Sequence, residues 1–204
     1  MKINFNLIRE ATRNRSALVS LVLNYLRFID NDADGFWGSL THEEEEALLA
    51  VIENHCKGQG PIIEFGTLFG TTTLLIAGAK ESNQRLITLD NFSWNPFMMP
   101  SADHKRFTQR CLRYVITNSN VELVDIDINQ FKLNWREDRP ALVFLDADHR
   151  YDAVKSDIEW SVKIGAKVIC GHDFGDEWPG VERAVREIFG TNFMTSGSLW
   201  WSVA

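Results

Sequence analysis

Asn192-Phe-Met-Thr195 and Leu199-Trp-Trp-Ser202 are two strand-like runs separated only by Ser196-Gly-Ser198. A connection that short cannot hold a crossover helix, so the pair predicts an antiparallel hairpin. Upstream the rhythm is different. Apolar runs at Pro61-Ile-Ile-Glu-Phe65, Leu86-Ile-Thr-Leu89, Val121-Glu-Leu-Val124, Ala141-Leu-Val-Phe-Leu145 and Lys167-Val-Ile-Cys170 alternate with helical stretches over 72–80, 103–117, 129–133, 151–164 and 181–189. Strands alternating with helices, and apolar on both faces, indicate a parallel sheet covered on each side. The expected fold is therefore α/β: a Rossmann-like, doubly wound, mostly parallel sheet that ends in an antiparallel hairpin. On the final strand, Trp200 and Trp201 must point to opposite faces and cannot stack together on one ligand.

Outward toward the amino end, Thr41-His-Glu-Glu44 is a helix start in which Thr41 caps and Glu44 reaches back. The acidic run Glu43 to Glu46 lies in that first turn, where the helix dipole favours negative charge. Leu48, Leu49, Val51 and Ile52 supply its buried stripe. The apolar tract Ala17 to Ile29 carries Ser20, Asn24 and Arg27 and is too short to span a bilayer. It reads as an amphipathic helix that packs on the main domain or on a second subunit, as in a homodimer. Residues 1–58 thus form an expected helical extension on an α/β domain over 59–204, with no linker or repeat dividing the chain.

A length of 204 residues suits one such unit. The net charge of −7 argues against a general polyanion binder, because phosphate backbones demand clustered Lys and Arg. Cys56, Cys111 and Cys170 are scattered and odd in number, which fits neither a disulfide framework nor a thiolate zinc site. With no leader-like pattern at the amino end, a cytoplasmic location is expected. Nucleic acid and membrane are not expected partners.

In sheets of this type ligands bind outside the carboxyl ends of the strands, near the point where strand order reverses. The polar residues there are Glu64, Asp90, Asp127, Asp146 and the pair His172-Asp173. Glu64-Phe-Gly-Thr-Leu-Phe-Gly70 is a strand end running into a turn, in which Gly66 would let the backbone pass close beneath a ligand and Gly70 would open the helix packing. It lacks the dinucleotide pattern GxGxxG, and Glu64 would repel a diphosphate but attract a cationic amino-acid group. The same residues also suit an ordinary tight βα turn. Asp90 is placed to accept bonds from both ribose hydroxyls. Asp127, or its competitor Asp125, is placed to reach an adenine amino group. Asp146 and Asp173 end strands expected to be neighbours, about 4.8 Å apart. Together with His149 and His172 they would converge, and two such carboxylates repel unless a cation or a shared proton intervenes. A hard divalent ion such as Mg²⁺ suits them. Separate roles, with Asp146 or Asp148 capping the helix at Tyr151 and Asp173 bonded to loop amides, are the alternative.

Taken together these residues resemble the class I S-adenosylmethionine-dependent methyltransferases, and among them the branch of sugar and antibiotic O-methyltransferases and cephalosporin hydroxylase-like proteins. The likeness runs from about Ile62 to Phe189. It is most specific in Val143-Phe-Leu-Asp-Ala-Asp-His-Arg-Tyr151, Gly171-His-Asp-Phe174 and Gly180-Val-Glu-Arg-Ala-Val185. The resemblance implies S-adenosyl-L-methionine held by Glu64, Gly66, Thr67, Gly70, Asp90, Asn91 and Asp127. It implies Mg²⁺ or another divalent metal on Asp146, His172 and Asp173, and catalysis by Asp146, His149 and His172. Relatives carry an acidic pair where this chain has His172-Asp173, and histidine is a poorer Mg²⁺ ligand than a carboxylate. The implied activity is O-methylation of a hydroxyl on a small molecule. Phe92, Trp94, Phe97, Met98 and Met99 form an expected aromatic lid or a satellite core cluster, and Trp178 and Pro179 an acceptor wall. An accessory S-adenosylmethionine-binding protein linked to hydroxylation is the alternative; an NAD-dependent oxidoreductase is disfavoured by the missing GxGxxG.

Overall fold

The computed structural model describes residues 40–58, 60–94, 100–137 and 139–204. The tract Ala17 to Ile29, and Phe97, Met98 and Met99 of the expected lid, lie outside the described residues. The elements run α1 (His42–His55), β1 (Ile62–Phe65), α2 (Thr71–Ala79), β2 (Leu86–Asp90), α3 (Ser101–Asn118), β3 (Val121–Asp125), α4 (Ile128–Asn134), β4 (Leu142–Leu145), α5 (Tyr151–Lys163), β5 (Val168–Gly171), α6 (Pro179–Phe189), β6 (Met194–Ser196) and β7 (Leu199–Val203).

The strands form one sheet in the order β3-β2-β1-β4-β5-β7-β6. The first five are parallel, β5 pairs antiparallel with β7, and β6 and β7 form the terminal hairpin. Strand order reverses between β1 and β4, so the switch point lies between the strands that lead into Gly66 and Asp146. The expected α/β architecture is present in full. The hairpin turn is shorter than expected, because Ser196 still pairs with Leu199 and Gly197 turns the chain at φ 58°. Helix α6 starts two residues before the expected Val181, with Pro179 in its first turn, where a missing N–H costs nothing.

Alternation along the strands sorts the core into two layers. Ile62, Leu86, Leu142, Phe144 and Val168 pack with Leu48 and Ile52 of α1, Ile76 of α2 and Leu112 of α3. Ile63, Ile87, Val143 and Ile169 pack with Val154 and Ile158 of α5 and Val185 of α6. Burial of each such aliphatic side chain contributes about 1.5–3 kcal/mol. Trp200 is fully buried in the second layer while Trp201 packs against the first, as the pleat requires. The three cysteines are buried and free. No described helix is long and apolar enough to cross a membrane.

Candidate functional site

The turn after β1 is held by its neighbours more than by its own sequence. Gly66 has φ 93°, and a Cβ there would meet the carbonyl oxygen of Asp146 at 1.8 Å. Its glycine is thus required by the backbone of the adjacent strand end, a different reason from the ligand approach that the sequence suggested. Gly70, at φ 88°, leaves room for the Leu112 side chain, which agrees with the helix-packing role expected of it. Between them, the amides of Thr67 and Leu68 donate to Asp90 Oδ2 at 3.2 and 2.9 Å, and the Phe92 amide donates to Oδ1 at 2.7 Å. The Leu68 carbonyl accepts from Thr108 Oγ1 and lies 2.9 Å from His104 Nε2. Asp90 therefore closes the turn while remaining half-buried at the strand end.

Glu64 departs from expectation. The pleat places it on the same face as Ile62, under α2, where it is fully buried and accepts from Thr73 Oγ1 at 2.5 Å. Its other oxygen is buried without a partner. Burial pushes its pKa up to about 8, against the opposing hydrogen bonds from Thr73 and Thr88, which disfavours the charge expected to attract a cationic group. Thr67 also turns inward, its hydroxyl 2.5 Å from Thr88 Oγ1. Asn91 is exposed and accepts from the Ser93 amide. Asp127 is exposed and caps α4 through the amides of Asn129 and Gln130, while its competitor Asp125 pairs with Lys105. Phe92 is buried edge-on against His104 rather than forming a lid.

Across the switch point the residues behave differently. Ladder bonds continue past both strand ends, from Asp146 N to Phe65 O and from His172 N to Leu145 O, and bring the two segments side by side. One ligand atom from each of Asp146, His149 and Asp173 lies within 4.8 Å of the others. His149 Nε2 is 2.8 Å from Asp173 Oδ2 and 3.6 Å from Asp146 Oδ1. It is buried and, although within ion-pair distance, aligned with neither carboxylate for a hydrogen bond. Gly180 of α6 supports this loop, since a Cβ there would strike the His149 carbonyl at 2.6 Å. The Trp178 ring covers the imidazole at 4.5 Å and is 40% exposed, so it borders both His149 and solvent. Asp148 bonds Arg150 in the preceding turn, and neither it nor Asp146 caps α5.

His172 is the second departure. Its ring turns from Asp146 toward Glu44, with Nε2 3.2 Å from Glu44 Oε2 and 2.8 Å from Ser198 Oγ, while Nδ1 faces Asp173 Oδ1 at 3.4 Å. The carboxylate cluster thus gathers His149 where the sequence had suggested His172. Burial lowers the pKa of each imidazole, but neighbouring carboxylates outweigh it: Asp146 and Asp173 carry His149 up to about 9, and Asp173 and Glu44 carry His172 up to about 10. Against the cost of its own burial, Asp173 is held well below the usual carboxylate range by the two imidazoles. Sequence reading placed Glu44 only in a helix start. Its long-range partners lie 128 and 154 positions away, and no local pattern signals them.

Residues 63–174, more than half of the chain, match a sequence family described as a methyltransferase domain. The chain belongs to this methyltransferase family. No curated protein matches the sequence. The methyltransferase is similar in fold to an O-methyltransferase from Bacillus cereus in complex with SAH, with 19% identity, a TM-score of 0.62, and 89% of this chain and 90% of that one covered. It is similar also to the O-methyltransferase TomG from Streptomyces achromogenes, involved in tomaymycin synthesis and solved with SAM, at 18% identity, a TM-score of 0.59 and coverage of 91% and 89%. A Klebsiella pneumoniae protein provisionally described as an O-methyltransferase superposes with a TM-score of 0.62 at 20% identity over 90% of each chain. The class I methyltransferase fold of this family is the one that the strand order displays.

Proposed function

We propose that this methyltransferase transfers the methyl group of S-adenosylmethionine to a hydroxyl of a small molecule, at a site bounded by Asp90 on one side of the switch point and Asp146, His149 and Asp173 on the other. The observation that carries the reading is the convergence of those last three side chains at the carboxyl edge of a methyltransferase-family sheet. S-adenosylmethionine supplies an electrophilic methyl group when bound. Asp90 is half-buried beside the turn it organises, which suits it to accept bonds from ribose hydroxyls, while Asn91 and Asp127 flank that position. Glu64 and Thr67 serve from beneath by fixing the turn, not by touching the ligand.

The two carboxylates also fit a divalent cation, because their ligand atoms lie close together beside the His149 imidazole. Asp146 and Asp173 would hold it, consistent with the one or two carboxylates that Mg²⁺ takes. Such an ion lowers the pKa of a hydroxyl that touches it. The carboxylates are what raise His149 above its ordinary value, so a cation held by them would lower it again and leave Nε2 suited to accept the proton of the acceptor hydroxyl. Trp178, tilted against the His149 ring and open to solvent, forms one wall for the acceptor.

The test is release of S-adenosylhomocysteine with a panel of hydroxylated acceptors, sugars and catechols included, with and without EDTA. Turnover on a hydroxyl acceptor, lost in Asp146→Asn, is expected. Methylation confined to nitrogen or carbon acceptors would overturn the O-methyl assignment.

A further inference from the structure

Glu44 is 2% exposed, a rare setting for a carboxylate on the first turn of a helix. As a cap it needs only the Thr41 amide, which donates to Oε2 at 2.7 Å. It does much more. Oε1 accepts from the Ser198 amide at 2.6 Å and from Ser198 Oγ at 2.8 Å, and Oε2 also faces His172 Nε2 at 3.2 Å. One carboxylate so joins α1, the β6–β7 turn and the segment after β5. The approach of the turn depends on Gly197, because a Cβ there would lie 2.6 Å from Glu44 Oε1.

Beyond His172 the row continues into the site: His172 Nδ1 faces Asp173 Oδ1, and Asp173 Oδ2 faces His149 Nε2 at 2.8 Å. Carboxylate and imidazole alternate from Glu44 to Asp146. Asp173 sits at φ 62°, a left-handed conformation that a non-glycine residue keeps only where its surroundings determine it. Ser198 fastens that segment a second time, its carbonyl accepting from the Phe174 amide at 2.9 Å. Glu44 and Ser198 therefore hold the His172 ring, which faces one Asp173 oxygen while His149 faces the other.

We propose that Glu44, His172 and Ser198 are positioning residues that set the angle at which Asp173 faces His149 and the cation site. The proposal rests on the reading of Asp146 and Asp173 as cation ligands. Groups that orient a ligating carboxylate typically alter metal affinity by about 10–100-fold when removed. Glu44→Gln keeps the size of the side chain but loses the charge that pairs with His172, and its NH2 must face either the donors of Ser198 or those of Thr41 and His172.

Calorimetric titration of Mn²⁺ into the full chain gives the first readout. Glu44→Gln should weaken Mn²⁺ binding about 10–100-fold, and Ser198→Ala should weaken it in the same direction by less. Thr41→Ala, which removes the cap alone, should lower thermal stability and leave Mn²⁺ affinity unchanged. If Glu44→Gln does not fold, the contrast between Ser198→Ala and Thr41→Ala decides. Crystal structures supply a readout that needs no cation: the Asp173 carboxylate should rotate from His149 in Glu44→Gln or Ser198→Ala and keep its place in Thr41→Ala. A wild-type protein that binds no Mn²⁺ overturns the cation reading and leaves the crystal structures to decide the positioning role. Unchanged Mn²⁺ affinity in Ser198→Ala and Glu44→Gln, or an unmoved Asp173, reduces Glu44 to a helix cap and overturns the proposal.

Discussion

The two halves of the carboxyl edge solve the problem of buried polar groups in opposite ways. On the β2–β1 side, charge is absorbed by the backbone and by burial: Asp90 accepts three amides, and Glu64 is buried with its pKa raised and accepts from Thr73. On the β4–β5 side, charge is answered by charge, with His149 among Asp146 and Asp173, and His172 between Asp173 and Glu44. The first half is a turn fixed by amide-to-carboxylate hydrogen bonds. The second is an electrostatic cluster whose composition changes with whatever cation or proton it holds. That division suits a fixed nucleoside seat beside a reacting centre.

The largest expected effect breaks the wall between the halves. Gly66→Ala places a Cβ against the Asp146 backbone and forces a strained φ, so it should destabilise the fold by more than about 3 kcal/mol, visible in denaturant unfolding. A variant of near wild-type stability would show that the strand ends are less closely apposed. Next come Asp146→Asn and Asp173→Asn. Each should lower turnover by about 10²–10⁴-fold, and the double variant should lose little more, since residues acting as a unit are not additive. Multiplicative losses would separate the two carboxylates into independent roles.

On the other half, Asp90→Ala should weaken S-adenosylhomocysteine by about 1.5–3 kcal/mol, the range for hydrogen bonds to a charged acceptor, in calorimetry on the folded variant. Unchanged affinity would remove Asp90 from the seat. A different effect, on stability and not on binding, is carried by Glu64. Its folded pKa of about 8 exceeds the ordinary 4.5, so the folded state binds the extra proton between those values, and stability falls as pH rises through that window. Glu64→Gln should flatten the decline in melting temperature from pH 5 to 8. An equally steep decline would place the titration elsewhere.

Sequence reading reached the fold because its signals are local: apolar runs of strand length, a capped helix start at Thr41, and a three-residue gap too short for a crossover. It located Asp90, Asp146 and Asp173 because strand ends in a parallel sheet share one edge whatever fills the loops. It did not show that Glu64 is buried, since the face under α2 is assigned only when the pleat and the neighbouring helix are in place. It set His172 rather than His149 beside the two carboxylates, because the direction of the His172 ring is set by Glu44 and Ser198, far from it in sequence. Residue 172 faces Glu44 and Ser198 while residue 173 faces His149, an arrangement that depends on the packing of α1 and the hairpin near β5.

The central claim is that the β2–β1 half is a nucleoside seat that does not depend on the charged cluster. Isothermal titration of S-adenosylhomocysteine into the wild-type chain, repeated in EDTA and in Asp146→Asn, tests it most directly. The account predicts saturable one-to-one binding with nearly the same affinity in all three. Absence of binding to the folded wild-type protein, or binding abolished by EDTA, would contradict it.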